Sequence, residues 1–287
     1  MEYEIPPLKW MHEDHSSLKV NRSGEVVYLT YPALEKTGAV IHGFTTRLGG
    51  VSRGVCSSMN LSFARGDDPK SVFENYERIG KAVGFSTDSV VCSTQIHETT
   101  VRKVGREDCG KGLSRPQDPG GADGLITNEP GVTLATFYAD CVPLYLVDPV
   151  KKAVGLSHSG WRGTVGMIGK ITVEAMTREY GCRPEDMIAA IGPSICQECY
   201  EVSEDVIEEF RKCYPEESWP DLFYSRDNGK FQLNLWEACR KNFLLAGVKN
   251  ENIIMPELCT CCNPEFLFSH RASHGRRGNL AAFLAIK

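Results

Sequence analysis

The chain has no basic run and no interleaving of basic with aromatic residues. Arg276-Arg277 is a basic pair near the end, too short for a nucleic-acid patch, and the net charge is −5. A polyanion partner is therefore not expected. No apolar run approaches the roughly 20 residues of a membrane-spanning helix. The first ten residues carry acidic side chains and two prolines, where a secretory leader needs a basic start and an apolar stretch. A soluble cytoplasmic protein is the expectation, with neither nucleic acid nor membrane as partner. The sequence also lacks a glycine-rich nucleotide fingerprint, internal repeats and a convincing linker. Its seven histidines include no His-x-His pair.

What is present is a chain of 287 residues, 41% of them hydrophobic, enough to bury a full core. Twelve cysteines are many, and without a secretory signal they are expected to be reduced. Two pairs, Cys196-Gln-Glu-Cys199 and Cys259-Thr-Cys261-Cys262, have metal-like spacing. The gap between the pairs far exceeds a zinc-ribbon loop, so ordinary core or surface thiols are expected there.

Strands and helices are mixed along the chain. β-favouring runs fall at 25–29, 39–45, 90–93, 122–127, 131–137, 144–147, 153–156, 188–191 and 280–286. Asp67 or Asp68 with Pro69 opens a helix. Val72, Tyr76, Ile79 and Val83 share one face of it, and Gly84 ends it. One helix is expected over 163–180, closed by Gly181, with its first amides turned toward His158. Ser203 should cap another, and Asn234 or Leu235 should open the last. The stretch 102–121, rich in Gly, Pro and charge, reads as a long mobile loop. The expected architecture is one α/β domain over 25–287, preceded by an extension over 1–24.

A polar Asp140-Cys141 pair interrupts two apolar runs, and the next run ends at His158. Alone, Cys141 reads more readily as a small buried hydrophobe than as a ligand. His97 closes a further β-like run, and none of the three lies on a helix face. Two imidazoles and a thiolate bind zinc well, and three protein ligands leave a fourth position open, as catalytic zinc sites do. Arg47, before Gly49-Gly50, has the donor fork that suits an anion.

Several motifs then combine. His42-Gly43-Phe44-Thr45-Thr46-Arg47-Leu48-Gly49-Gly50-Val51-Ser52, Gln95-Ile96-His97, Ala122-Asp123-Gly124-Leu125-Ile126-Thr127, Ala139-Asp140-Cys141-Val142-Pro143 and His158-Ser159-Gly160-Trp161-Arg162-Gly163 follow one another in order. Together they resemble the YfiH family, also called the laccase-domain, polyphenol-oxidase or peptidoglycan-editing-factor family. Ile191-Gly192-Pro193-Ser194-Ile195 and Cys259-Thr260 extend the likeness. Ser269-His270-Arg271 departs from the commoner Tyr-Arg-Arg form.

The resemblance implies a compact α/β fold with mixed sheets flanked by helices. It implies Zn2+, with Cu2+ as the other metal to consider, held by His97, Cys141 and His158. It implies purine nucleosides and phosphate as substrates, with phosphorolysis of adenosine, inosine, guanosine and methylthioadenosine and deamination of adenosine. In that scheme Cys141, His158 and Asp140 are the catalytic set, with Asp140 carrying a proton or orienting the metal thiolate, or equally serving as a turn-capping carboxylate, and Arg47, Asn60 and Arg162 serve substrate and phosphate. The family names carry two competing activities. One is a copper polyphenol oxidase, which the lack of His-x-His pairs disfavours. The other is an amidase editing peptidoglycan precursors with Cys141 as nucleophile. A metal-binding scaffold without turnover is the remaining reading.

Overall fold

Alternation along the central strands sets the architecture. In Leu280–Ile286, residues Leu280, Ala282, Leu284 and Ile286 join one core while Ala281 and Phe283 join another. Successive strand side chains point to opposite faces, so this strand is buried on both. The same holds for Val142–Asp148, where Val142, Leu144 and Leu146 face one core and Tyr145 and Val147 face the other.

The computed structural model describes residues 4–287; Met1, Glu2 and Tyr3, part of the expected extension, lie outside the described residues. The first six-stranded sheet runs β1 (Lys19–Ser23), β2 (Val26–Thr30), β3 (Val40–Thr45), β15 (Leu280–Ile286), β7 (Thr133–Tyr138) and β4 (Val90–Cys92). The second runs β14 (Ile253–Ile254), β10 (Ile188–Ile191), β8 (Val142–Asp148), β9 (Ala153–Ser159), β6 (Gly124–Thr127) and β5 (Val101–Lys103). A small third sheet joins β11 (Glu201–Val202), β13 (Phe231–Leu233) and β12 (Phe223–Ser225). Both large sheets mix parallel and antiparallel pairs, β4 with β7 and β5 with β6 being parallel. Part of the segment expected as an extension belongs to this body, since β1 pairs with β2 over Lys19 to Ser23.

The two sheets share one core, which includes Leu29, Phe44, Leu134, Tyr145, Leu156 and Leu284. Helix α1 (Pro32–Lys36) lies beside β3, and α2 (Pro69–Val83) covers the outer face of the first sheet. Asp68 caps α2 by accepting from the Lys70 and Ser71 amides, and Gly84 ends it at φ +100°. Val72, Tyr76 and Ile79 are its buried side. The outer face of the second sheet is covered by α3 (Trp161–Val165), α4 (Ile168–Tyr180), α5 (Glu204–Cys213), α6 (Trp219–Leu222) and α7 (Leu235–Leu245). Gly155 lets α4 approach β9, since a Cβ there would stand 2.9 Å from Met176 Sδ and 3.0 Å from Thr172 Cγ2.

Three local expectations need correction. The helix expected over 163–180 is two helices, broken at Met167, whose φ is +62°. The Thr164 carbonyl accepts from the Met167 amide, Asn242 Nδ2 and the Tyr214 hydroxyl, so the next turn cannot continue on it. Ser203 stands at the N-cap of α5, but its hydroxyl donates to Asp205 instead of accepting from the helix. The stretch expected to be a long mobile loop begins with β5 and is tied down. Lys111 Nζ sits 2.6 Å from both Asp108 and Asp118, and Gln117 Nε2 donates to Cys92 O at 2.6 Å. Among the described residues no helix is long and apolar enough to cross a membrane.

Candidate metal centre

His158 lies on β9 near its end, and Cys141 directly precedes β8, its partner strand. His97 comes from the loop after β4 in the other sheet. Tertiary structure brings these three together: one ligand atom from each lies within 4.8 Å of the others. The His97 and His158 rings meet edge to face, with centroids 4.8 Å apart. His158 is buried, Cys141 half-buried and His97 exposed, so one side of the group opens outward. Gly160 closes the other side. A Cβ there would stand 3.2 Å from Cys141 Sγ and 3.4 Å from His97 Cδ2.

The residue that organises the group is Asp123, fully buried just before β6. His158 Nδ1 is 2.8 Å from its Oδ1. The same oxygen accepts from the His97 amide, and Oδ2 accepts from the Ile96 and Glu98 amides, each at 3.0 Å. Three successive amides converge on one carboxylate, which requires the chain to reverse sharply. His97 accordingly takes φ +61°, a costly region for a side-chain-bearing residue that persists at functional sites where surroundings hold it. By occupying Nδ1, Asp123 leaves Nε2 of His158 for a metal and fixes the ring.

Charges in the cluster are coupled. Burial would raise the Cys141 thiol, but His158 and His97 outweigh it and bring the pKa down to about 6. Burial would lower His158, yet Cys141 and Asp123 raise it to about 9. Asp123 is pushed up by burial but held below its ordinary carboxylate value by His158 and the amides. A thiol poised as thiolate beside two imidazoles is a donor set that zinc and copper both accept.

A cleft of about 340 Å³ opens over this group, within the roughly 300–1,000 Å³ range of small-molecule sites. Arg65, Gln117, Phe137, Arg277 and Asn279 line it with the three candidate ligands. Arg277 is 9% exposed, and its buried Nε has no hydrogen-bond partner. Burial and the charge of Arg65 bring its pKa down to about 10. Two guanidiniums that repel each other across a cleft form an anion-receptive pair. Gln95 shapes the wall by acting as an extra strand residue: its Nε2 donates to Phe137 O at 2.8 Å, and its Oε1 accepts from Phe137 N at 2.7 Å. Sequence reasoning missed Asp123, Arg65 and Arg277. Asp123 was visible as the one charge inside an otherwise apolar and small motif. Arg277 gave no signal beyond being a basic residue near the end.

The other expected site residues lie elsewhere. Arg47 does not line the cleft: Nε and Nη2 donate to Ser57 O, Nη1 to Pro264 O, and the guanidinium stacks over Phe268 at 4.8 Å. Its fork binds main-chain carbonyls, so the phosphate role expected of it is replaced by an architectural one. Asn60 is similarly occupied. Its amide donates to Ser62 O and Asp67, and its Oδ1 accepts from the Ser62 and Asn279 amides. It positions Asn279, which does line the cleft. Arg162 is exposed on α3 and stacks over Trp161 at 4.4 Å, outside the lining residues. Asp140 sits beside Cys141 at φ +87°. Oδ1 accepts from the Thr260 hydroxyl and Oδ2 from the Arg271 amide, both at 2.7 Å. With both oxygens engaged, Asp140 fits a turn-holding role better than proton transfer. The two Cys-x-x-Cys pairs, expected to be separate ordinary thiols, are brought together: Cys196, Cys199, Cys259 and Cys262 place their sulfurs within 4.8 Å of one another. Chain separation misled because the second sheet lays the two loops side by side, with a bridge between Ser194 and Cys259.

The sequence model of the multi-copper polyphenol oxidoreductase laccase family matches residues 41–287. The purine nucleoside phosphorylase YlmD of Geobacillus stearothermophilus is 41% identical over 252 residues, spanning 86% of this chain and 90% of that protein. The crystal structure of YlmD from Geobacillus stearothermophilus superposes with a TM-score of 0.86 at 36% identity, covering 93% of this chain and 98% of that one. The adenosine deaminase RL5 of an unknown prokaryotic organism is 34% identical over 234 residues, or 80% of this chain and 88% of that protein.

Proposed function

The chain belongs to the multi-copper polyphenol oxidoreductase laccase family, to which its motifs' likeness to YfiH pointed, and we propose that it is a zinc-dependent purine nucleoside phosphorylase that also deaminates adenosine. The observation that carries this is the juxtaposition of a three-ligand metal group, open on one side, with the Arg65–Arg277 pair in the same cleft. Relatives named for phosphorolysis and for adenosine deamination support both activities.

His97, Cys141 and His158 would hold the zinc, a set that fits it by donor chemistry and count. Bound there, zinc supplies Lewis acidity and makes water nucleophilic near neutral pH. Asp123 keeps the two histidines oriented, and Gly160 leaves the space. Arg65 and Arg277 bind the phosphate dianion through charge-assisted hydrogen bonds, with the free Nε of Arg277 as one donor. Phe137 offers an aromatic wall for the purine. In phosphorolysis a phosphate oxygen bonds to C1′ of the ribose as the C1′–N9 bond breaks. The bond pair leaves with the purine, which takes up the proton that the hydrogen phosphate dianion gives up, and ribose 1-phosphate remains. The ribosyl cation character at C1′ is met by the phosphate held between the guanidiniums. In deamination a water oxygen replaces the amine at C6 and ammonia departs.

A copper oxidase is less well supported. Multicopper clusters use many imidazoles, whereas the three-residue group here has two, and His42 is buried elsewhere, accepting from the Tyr31 amide. The Cys141–His158 pair would suit an amidase nucleophile, but the geometry around it suits a metal equally, and acylation of Cys141 by an acyl substrate separates the two. Wild-type protein should release hypoxanthine from inosine only with phosphate present. Cys141→Ala should abolish that release while circular dichroism stays unchanged. Full turnover in the variant, or copper instead of zinc in protein purified without added metal, refutes the proposal.

A further inference from the structure

Outside the cleft, one cluster of metal-ligating side chains among the described residues has no role yet. It lies where the loops after β10 and β14 meet, against the core on the outer face of the second sheet. Cys196 and Cys259 are buried, and Cys199 and Cys262 are half-buried. The four sulfurs lie within 4.8 Å of one another. Cys199 and Cys262 approach to 3.4 Å, far beyond the roughly 2.05 Å of a disulfide. In a tetrahedral site with Zn–S bonds of about 2.3 Å, sulfurs stand about 3.8 Å apart. The spacing here matches that arrangement far better than a pair of bonds.

The backbone around the sulfurs points the same way. Cys259 Sγ accepts from the Cys196 amide at 3.2 Å and from the Cys262 amide at 3.4 Å. Amides aimed at sulfur stabilise the thiolate form that a metal needs. Each half is a Cys-x-x-Cys turn, and the halves are paired by the Ser194–Cys259 bridge and the Thr260 amide donating to Ser194 O at 3.1 Å. Four thiolates in tetrahedral reach leave no open position, the mark of a structural zinc.

We propose that Cys196, Cys199, Cys259 and Cys262 bind one zinc ion that staples these loops together behind the candidate metal centre. The staple has a direct path to Cys141. Thr260, inside the second turn, donates to Asp140 Oδ1, and Arg271, whose amide donates to Oδ2, also donates its guanidinium to Cys199 O and Glu201 O. Asp140 holds the strained turn that presents Cys141. The two metal sites are thus distinct in ligands and in role.

The test separates this zinc from the one in the cleft. His97→Ala/Cys141→Ala removes two of the three cleft ligands and leaves the four-cysteine cluster intact. That variant, purified under reducing conditions, should carry one zinc per chain by mass spectrometric metal analysis. Reconstituted with Co2+, it should show intense thiolate charge-transfer bands and the visible bands of a tetrahedral ion. Adding Cys199→Ser and Cys262→Ser should remove the metal and lower the unfolding midpoint. Should that last protein not fold, the metal content and cobalt spectrum of the parent variant still decide. Zinc below a tenth of an equivalent in the folded parent variant overturns the proposal. So does iron in place of zinc, or recovery of the four cysteines as disulfides. No step needs nucleoside turnover, so a failed phosphorylase reading leaves this result standing.

Discussion

Asp123→Asn is the substitution that the geometry constrains most tightly. The side chains are nearly the same size, so no cavity forms. What changes is the charge and the acceptor count. The carboxylate accepts four hydrogen bonds, from His158 and from the amides of residues 96, 97 and 98. An asparagine accepts through one oxygen only, and its amide then faces donors. Breaking a buried charged pair costs roughly 3–5 kcal/mol, and that range is the expected loss of stability in metal-free protein. Metal affinity should fall as well, because His158 loses the partner that fixes its ring and tautomer. Loss of such an outer partner lowers affinity by about 10–100-fold, or about 1.4–2.7 kcal/mol. Competition with a chromogenic chelator measures the affinity, and denaturant unfolding measures the stability. The pH dependence adds an independent check. The Asp123 carboxyl is held below its ordinary value, so its stabilisation is fully present above the unfolded carboxylate pKa of about 3.9. It is lost as pH falls through the lower folded value. The variant should lack that acid-side loss. Unchanged metal affinity in a folded Asp123→Asn protein would refute the reasoning that this carboxylate organises the centre.

In metal-stripped protein, alkylation of Cys141, followed by peptide mass spectrometry, should be half-maximal near pH 6 and fall as acid protonates the thiolate; a midpoint near the ordinary thiol value of about 8.5 contradicts the coupling to His158. Arg277→Gln should raise the KM for phosphate about tenfold or more, since a hydrogen bond to a charged group contributes about 1.5–3 kcal/mol, and an unchanged phosphate KM excludes Arg277 from binding it. Gly160→Ala should weaken metal binding by crowding Cys141 Sγ at 3.2 Å; wild-type affinity would show that the neighbours yield without cost. Asn75→Ala should destabilise the fold by about 2–4 kcal/mol, because buried Asn75 ties Val51, Ser52, Ser58 and Asn60 to α2, and urea midpoints read the loss.

Local chemistry made much of the fold legible. Asp68, Pro69 and Gly84 bounded α2, and continuous β-favouring runs marked β7, β8, β9 and β15, because caps and local side-chain preference act within a few residues. His97, Cys141 and His158 could be nominated as ligands because polar residues ending apolar runs are seldom there for packing alone. Sequence could not say which donors are already occupied. Arg47 and Asn60 carry the right groups for a substrate, but carbonyls and amides brought in from distant segments occupy them. The partners of Asp123, and the place of Arg277 in the cleft, emerged only when the two sheets set residues from separate strands around it. The same holds most plainly for the cysteines. Each Cys-x-x-Cys turn is written locally, but whether two such turns face each other depends on a strand pairing that no short-range rule contains. The sequence by itself determined the elements and the chemical types available; the packing of the sheets decided which of those groups meet, because contacts between distant segments are fixed by tertiary burial and not by spacing along the chain.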